Sequence, residues 1–193
     1  MPKSKLPIAN RQSPIVILGI DPGLADTGFG VITIEKNKLR MVDFGIIKTK
    51  AKIPLATRLN QIYNSLNRLI KTYKPDTIGV EQLFFCKNVK TALAVGHARG
   101  VIMLTAGKNK VTTKEFTPLQ VKQALTGYGQ ASKKQVQQMV KVILSLKQIP
   151  KPDDASDALA IAICCAHCLN SKFKNNNLGE TFDFKLAILT FAF

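Results

Sequence analysis

Four carboxylates stand where a charged group is costly to keep. Asp21 ends the apolar run Ile15-Val-Ile-Leu-Gly-Ile20, Glu81 ends Thr77-Ile-Gly-Val80, and Asp154 and Asp157 open the helix-like run Ala158-Leu-Ala-Ile-Ala-Ile163. An acid at the margin of a buried segment stays ionised only with positive charge beside it. Only 12 of the 193 residues are Asp or Glu, against 28 Lys and Arg, and the formal charge is +16. Scarce acids at segment edges in a strongly basic chain fit a metal ion working on a phosphate. Mg2+ takes carboxylate oxygens and keeps several waters. Two such ions close together can activate a water and stabilise the leaving oxygen of a phosphodiester. That is nuclease chemistry, and it requires three or four carboxylates converging from separate elements.

Each acid has a plainer explanation when taken singly. Asp21 precedes Pro22-Gly23 and suits a turn. Asp153, Asp154 and Asp157 fall where a helix dipole favours negative charge without any catalysis. Glu81 could pair with a lysine. The case rests on their occurring together.

The elements that must position them can be read from periodicity and breakers. Residues 15–20 predict a buried central strand, and 28–35 and 39–48 two further strands joined around Lys36-Asn-Lys38 in an antiparallel meander. Leu55, Leu59, Ile62, Leu66, Leu69 and Ile70 recur at three and four, predicting an amphipathic helix over 55–73. A short buried strand at 77–81 follows, then a helix over 89–106 in which Gly96 and Gly100 share a face, either for a close backbone approach or merely tolerated there. A fifth strand is expected at 111–116. Thr117 caps the next helix with Pro118 at its first position, Gly127 and Gly129 end it, and Ser132 caps a helix over 133–146. The last helix runs from about Asp153 to Leu169. This is a mixed α/β sheet in one domain at 15–170, with a basic N-terminal extension at 1–14 and a tail at 171–193. Asp21 and Glu81 then end neighbouring parallel strands, and Asp154 and Asp157, three apart, share a helix face.

Charge and composition narrow the partners. Between Lys108 and Lys151 there are nine lysines and one acid, Glu115. Nucleic acid is the leading partner, and an anionic membrane surface is second. No run approaches the ~20 apolar residues that a spanning helix needs, and residues 1–14 lack the apolar core of a secretory signal. Cys86, Cys164, Cys165 and Cys168 show no disulfide framework and fit a reducing cytosol. Cys165-Ala-His-Cys168 has the look of a zinc motif, but its ligands point several ways around a helix, so buried apolar cysteines are expected. The apolar stretch Leu186–Phe193 is too short to span a bilayer and has no account.

Several stretches together resemble RuvC-type Holliday-junction resolvases: Ile17-Leu-Gly-Ile-Asp-Pro-Gly23, Thr27-Gly-Phe-Gly-Val31, Glu81-Gln-Leu-Phe84 with Lys87-Asn88, Gly96-His-Ala-Arg-Gly100, Gln120-Val-Lys-Gln123, Lys133 with Gln135-Val-Gln137, and Asp154-Ala-Ser-Asp-Ala-Leu-Ala160. The likeness spans about residues 15–169 in order. It implies a ribonuclease-H-like fold, a five-stranded mixed sheet flanked by helices on both faces, assembled as a homodimer. It implies Mg2+-dependent cutting of four-way junction DNA by paired symmetric nicks, with two ions in each site and Mn2+ able to substitute. By motif position Asp21, Glu81, Asp154 and Asp157 match the catalytic, metal-holding acids. Phe84 matches an aromatic near the junction centre, and Lys122 and Lys133 match DNA-contacting lysines. Lys87, Arg99 and Lys134 complete the expected DNA-binding set. His97 falls in the helix such proteins use at the dimer contact. RuvA and RuvB are implied partners, the setting is cytoplasmic, and no membrane is involved. The rivals are a related nuclease acting on ribosomal RNA, a non-catalytic DNA-binding protein, and the two-domain actin/sugar-kinase ATPases, which need about twice this length.

Overall fold

The computed structural model describes residues 13–36, 38–82 and 89–174. The expected tail at 171–193 lies beyond them from residue 175, and all but two residues of the extension at 1–14 lie outside as well, as do Phe84, Cys86 and Lys87. The elements run β1 (Ile15–Asp21), β2 (Asp26–Glu35), β3 (Lys38–Lys48), α1 (Leu55–Tyr73), β4 (Thr77–Glu81), α2 (Val89–Lys108), β5 (Thr112–Phe116), α3 (Pro118–Thr126), α4 (Lys133–Ile143) and α5 (Asp153–Lys174). The strands form one sheet in the order β3-β2-β1-β4-β5, with β1 antiparallel to β2 and parallel to β4. The mixed five-stranded sheet is therefore as expected. Most boundaries agree; α4 stops at Ile143 rather than 146, and α5 runs five residues past Leu169.

Strand alternation divides the core in two. On β1, Ile15 and Ile17 face the layer of α3, α4 and α5, while Leu18 and Ile20 face α1 and α2. Gly19 and Asp21 continue the first set by the same period of two. On β4, Ile78 and Val80 join the α1–α2 core, which puts Gly79 and Glu81 on the α5 side. Both strand-ending acids are thereby aimed at the face that α5 covers.

Glycines let α5 come down onto the strand backbones. Gly30, Gly19 and Gly79 lie side by side across β2, β1 and β4. A Cβ at Gly19 would sit 2.1 Å from the Ala158 carbonyl oxygen, and one at Gly28 would sit 2.0 Å from that of Asp154. At Gly30 the Leu159 side chain and amide would be met at 2.8 Å. A strand glycine often marks such a close approach. On the helix side the contact is made by small residues, with Ala155, Ala158 and Ala162 fully buried. The expected close approach at Gly100 on α2 is not found, because a Cβ there would meet nothing within 4 Å.

The other site-bearing elements are anchored locally. The turn after Asp21 is held by Thr27 Oγ1 donating to the Gly23 carbonyl at 2.6 Å, and by Thr49 N donating to that of Ala25 at 2.8 Å. Gln82 N donates to Phe116 O at 2.8 Å, so the backbone just past Glu81 is still paired. Thr117 and Ser132 cap α3 and α4 with reciprocal capping boxes through Gln120 and Gln135, as the sequence predicts for the two N-caps.

Gly28→Ala is expected to destabilise the fold by about 2 kcal/mol or more, because backbone has to move to admit the methyl. The melting temperature should fall by about 2–4 °C per kcal/mol. Gly107→Ala, whose new methyl meets nothing within 4 Å, should leave it unchanged or slightly higher. Thermal melts of the two variants check the contrast.

Candidate active site

Asp21, Asp154 and Asp157 each offer a carboxylate oxygen, and the three atoms lie within 4.8 Å of one another. β1 delivers Asp21 at its C-terminal end. Gly28 stands opposite Asp21 in the β1–β2 ladder and itself touches the Asp154 carbonyl, which brings the first turn of α5 over the strand end. Asp157 follows one turn along the helix, on the same face. Glu81, one residue past the last β1–β4 pair at Ile20 and Val80, stands beside the triad without belonging to that tightest group.

The charges in this pocket oppose one another. Burial, then the nearby charges of Glu81, Asp157 and Asp154, push the Asp21 carboxyl up to about 7. Burial, followed by Asp157, raises Glu81 as well. Asp157 is also raised, chiefly by burial, although Lys133 opposes the shift. Lys133, in the first turn of α4, donates to Asp157 at 2.8 Å and lies 3.6 Å from Asp153. One lysine does not balance four acids.

The donor set suits a hard divalent cation. Oxygens on one octahedral ion with bonds of about 2.1 Å are at most about 4.2 Å apart, so atoms within 4.8 Å need only small side-chain adjustments.

The expected DNA-contact residues lie in different settings. Lys133 stands in the acidic pocket itself, Lys134 beside it is exposed, and Lys122 on α3 is half-buried. Arg99 on α2 is ion-paired with Glu115 of β5, the one acid of the lysine-rich stretch. His97 is exposed on α2. In the cysteine–histidine run Cys164 and Cys165 are buried, with thiols pushed up to about 12, and burial brings His167 down to about 4. Sequence reasoning missed two things, the place of Lys133 inside the cluster and the glycine row under α5. Glycines at 19, 28, 30 and 79, within or beside otherwise apolar strands, were the available signal for the second.

The family model described as crossover junction endodeoxyribonuclease RuvC matches residues 17–165. The crossover junction endodeoxyribonuclease RuvC of Alkaliphilus metalliredigens is 53% identical over 153 residues, covering 79% of this chain and 93% of the relative. That of Alkaliphilus oremlandii is 54% identical over 156 residues, covering 81% and 95%. Among solved structures, T. thermophilus RuvC in complex with Holliday junction substrate superposes with a TM-score of 0.77 at 34% identity, covering 83% of this chain and 96% of that one. The sheet order and helix layers are those of the ribonuclease-H-like fold. Among the described residues no helix is long and apolar enough to cross a membrane.

The raised Asp21 carboxyl has a consequence for stability. The folded chain holds this proton up to about pH 7, whereas the unfolded chain releases it near 3.8. Metal-free protein should therefore lose stability as pH rises from about 4 to 7, the sign expected when the folded state binds more protons. Asp21→Asn should remove that loss. At pH 8 without metal the variant is expected to be more stable by about 1 kcal/mol or more, a rise of about 2–4 °C in melting temperature. Melts at pH 5 and pH 8 in a chelator check the sign.

Proposed function

This chain belongs to the RuvC family of crossover junction endodeoxyribonucleases, and on that premise we propose that it resolves four-way DNA junctions by Mg2+-dependent hydrolysis at the carboxylate cluster. The observation that carries the proposal is the convergence of Asp21, Asp154 and Asp157 within 4.8 Å, with Glu81 alongside and a lysine at the rim. Asp21, Glu81, Asp154 and Asp157 would hold the metal, two ions in each site. Mg2+ bound there, or Mn2+ in its place, supplies an activated water and neutralises charge building on the phosphate.

The protein's own groups do the rest. The strand ends and the first turn of α5 fix the carboxylates on rigid backbone, so little reorganisation is left for the moment of reaction. Lys133 at the pocket and the exposed Lys134 beside it would contact the DNA backbone, while Lys122 adds charge on the same helix layer. Phe84, three residues after Glu81, would meet the junction centre, and Lys87 would contact the DNA. Arg99 contributes to DNA binding only if substrate displaces Glu115.

Paired symmetric nicks require two copies of the site, and we take the working unit to be a homodimer. In support, α2 leaves Leu93 and Leu104 each 59% exposed, with open space over Gly100 between them. The nuclease domain is residues 15–170, the setting is cytoplasmic, and RuvA and RuvB are the expected branch-migration partners by family.

A synthetic four-way junction, a linear duplex and an RNA, each incubated with and without Mg2+, test this reading. Cutting confined to the junction with Mg2+ is expected. Asp21→Asn should abolish nicking while retaining junction binding, and Mg2+-dependent nicking by that variant would remove Asp21 from the mechanism. Binding should weaken with salt at about −0.9 in log–log slope per phosphate contact. With six to ten contacts, affinity falls by about 10³ or more between 50 and 200 mM. Lys134→Ala should make the slope shallower by about 0.9, measured by fluorescence anisotropy.

A further inference from the structure

One acid at the site has no part in the mechanism above. Asp153 opens α5 beside the triad, with its side chain 46% exposed. Its two oxygens face different lysines. Oδ1 accepts from Lys151 at 2.7 Å, and Oδ2 lies 3.6 Å from Lys133 Nζ. The same Lys133 ammonium donates to Asp157 at 2.8 Å. It therefore sits between an acid of the cluster and an acid of the rim, closer to the former. Its backbone is fixed, because the Ser132–Gln135 capping box holds the first turn of α4, so only its side-chain torsions are free to adjust.

An ammonium bonded to Asp157 competes with a divalent cation for that carboxylate, and the two positive charges repel at such separations. Cation binding at the triad thus favours the departure of Lys133 from Asp157. The nearest place already built for it is Asp153 Oδ2, since Lys151 engages the other oxygen. We infer that Asp153 is a positioning residue, drawing the Lys133 ammonium off Asp157 when a divalent cation occupies Asp21, Asp154 and Asp157. This rests on the metal-site reading above. It gives the extra acid a task that the triad cannot perform, because each triad member is itself a ligand.

Mn2+ binding to the whole chain without DNA, followed by electron paramagnetic resonance, tests the inference with no turnover involved. Asp153→Asn should weaken Mn2+ binding about two- to five-fold, the range spanned by an exposed ion pair. In a Lys133→Met background, which removes the competing ammonium, the same substitution should change affinity by less than about 1.5-fold at about 0.15 M salt, where bare charge effects are screened. Asp153→Glu should restore most of the affinity, as a mere helix-start role would not require. Equal losses in the two backgrounds, no loss in either, or failure of Asp153→Glu to recover binding would each overturn the inference while leaving the metal site standing. A wild-type chain that takes up no Mn2+ would sink both.

Discussion

The closeness of α5 to the sheet is the constraint on which the site depends. A side chain on Gly19, Gly28 or Gly30 would collide with α5 backbone at 2.0–2.8 Å, so each absent Cβ allows the helix its present depth. Helix depth in turn sets where Asp154 and Asp157 stand relative to Asp21. The coupling is short: Gly28 is the ladder partner of Asp21 and the contact of the Asp154 carbonyl. Metal ligation tolerates errors well below an ångström, so a packing surface built largely on backbone contact is a suitable support for it. Alanines, Leu159 and Ile161 on the helix and glycines on the strands make that surface.

Bringing acids together this way raises an electrostatic problem that the rest of the molecule only partly relieves. Burial and mutual repulsion push Asp21, Glu81 and Asp157 upward, and among the described residues Lys133 is the cation bonded to one of them. The dipole at the start of α5 favours the negative charge of its first turn. The remaining imbalance leaves a negatively charged pocket in an otherwise strongly basic chain. The strongly basic exterior serves a different end, since it attracts the polyanion and leaves the buried acids uncompensated.

The sequence disclosed most of this at the level of single elements. Apolar runs, caps and breakers located β1, β4, α1, α3 and the start of α5 almost to the residue, because each signal lies inside the element it defines. The strand-ending positions of Asp21 and Glu81 followed from the same runs. Contacts between elements were harder to read. Gly96 and Gly100 on α2 suggested a close approach by helical spacing, yet the close approach is made by strand glycines, whose partners lie far along the chain on α5. Arg99 likewise read as a DNA contact, while its neighbour across α2 and β5 is Glu115. A charge's partner is a property of packing, and local pattern does not contain it.

Strand parity explains why the acids cannot drift from this arrangement. Alternate residues of β1 serve two separate cores, with Ile15 and Ile17 under α5 and Leu18 and Ile20 under α1 and α2. A slip of one residue would place Asp21 against the wholly apolar α1–α2 layer and Ile20 in the carboxylate pocket. It would also bring Leu18 or Ile20 to the position of Gly19, where a Cβ would meet α5 backbone. The same parity holds on β4 for Gly79 and Glu81. The two strands are locked in parallel register by Asp76, whose amide donates to Val16 O at 2.8 Å while its carboxylate accepts from Val16 N at 3.1 Å. Chemistry and packing thus impose one register between them: the glycine that admits the helix and the acid that uses it are two residues apart on the same strand, and neither can be displaced without the other.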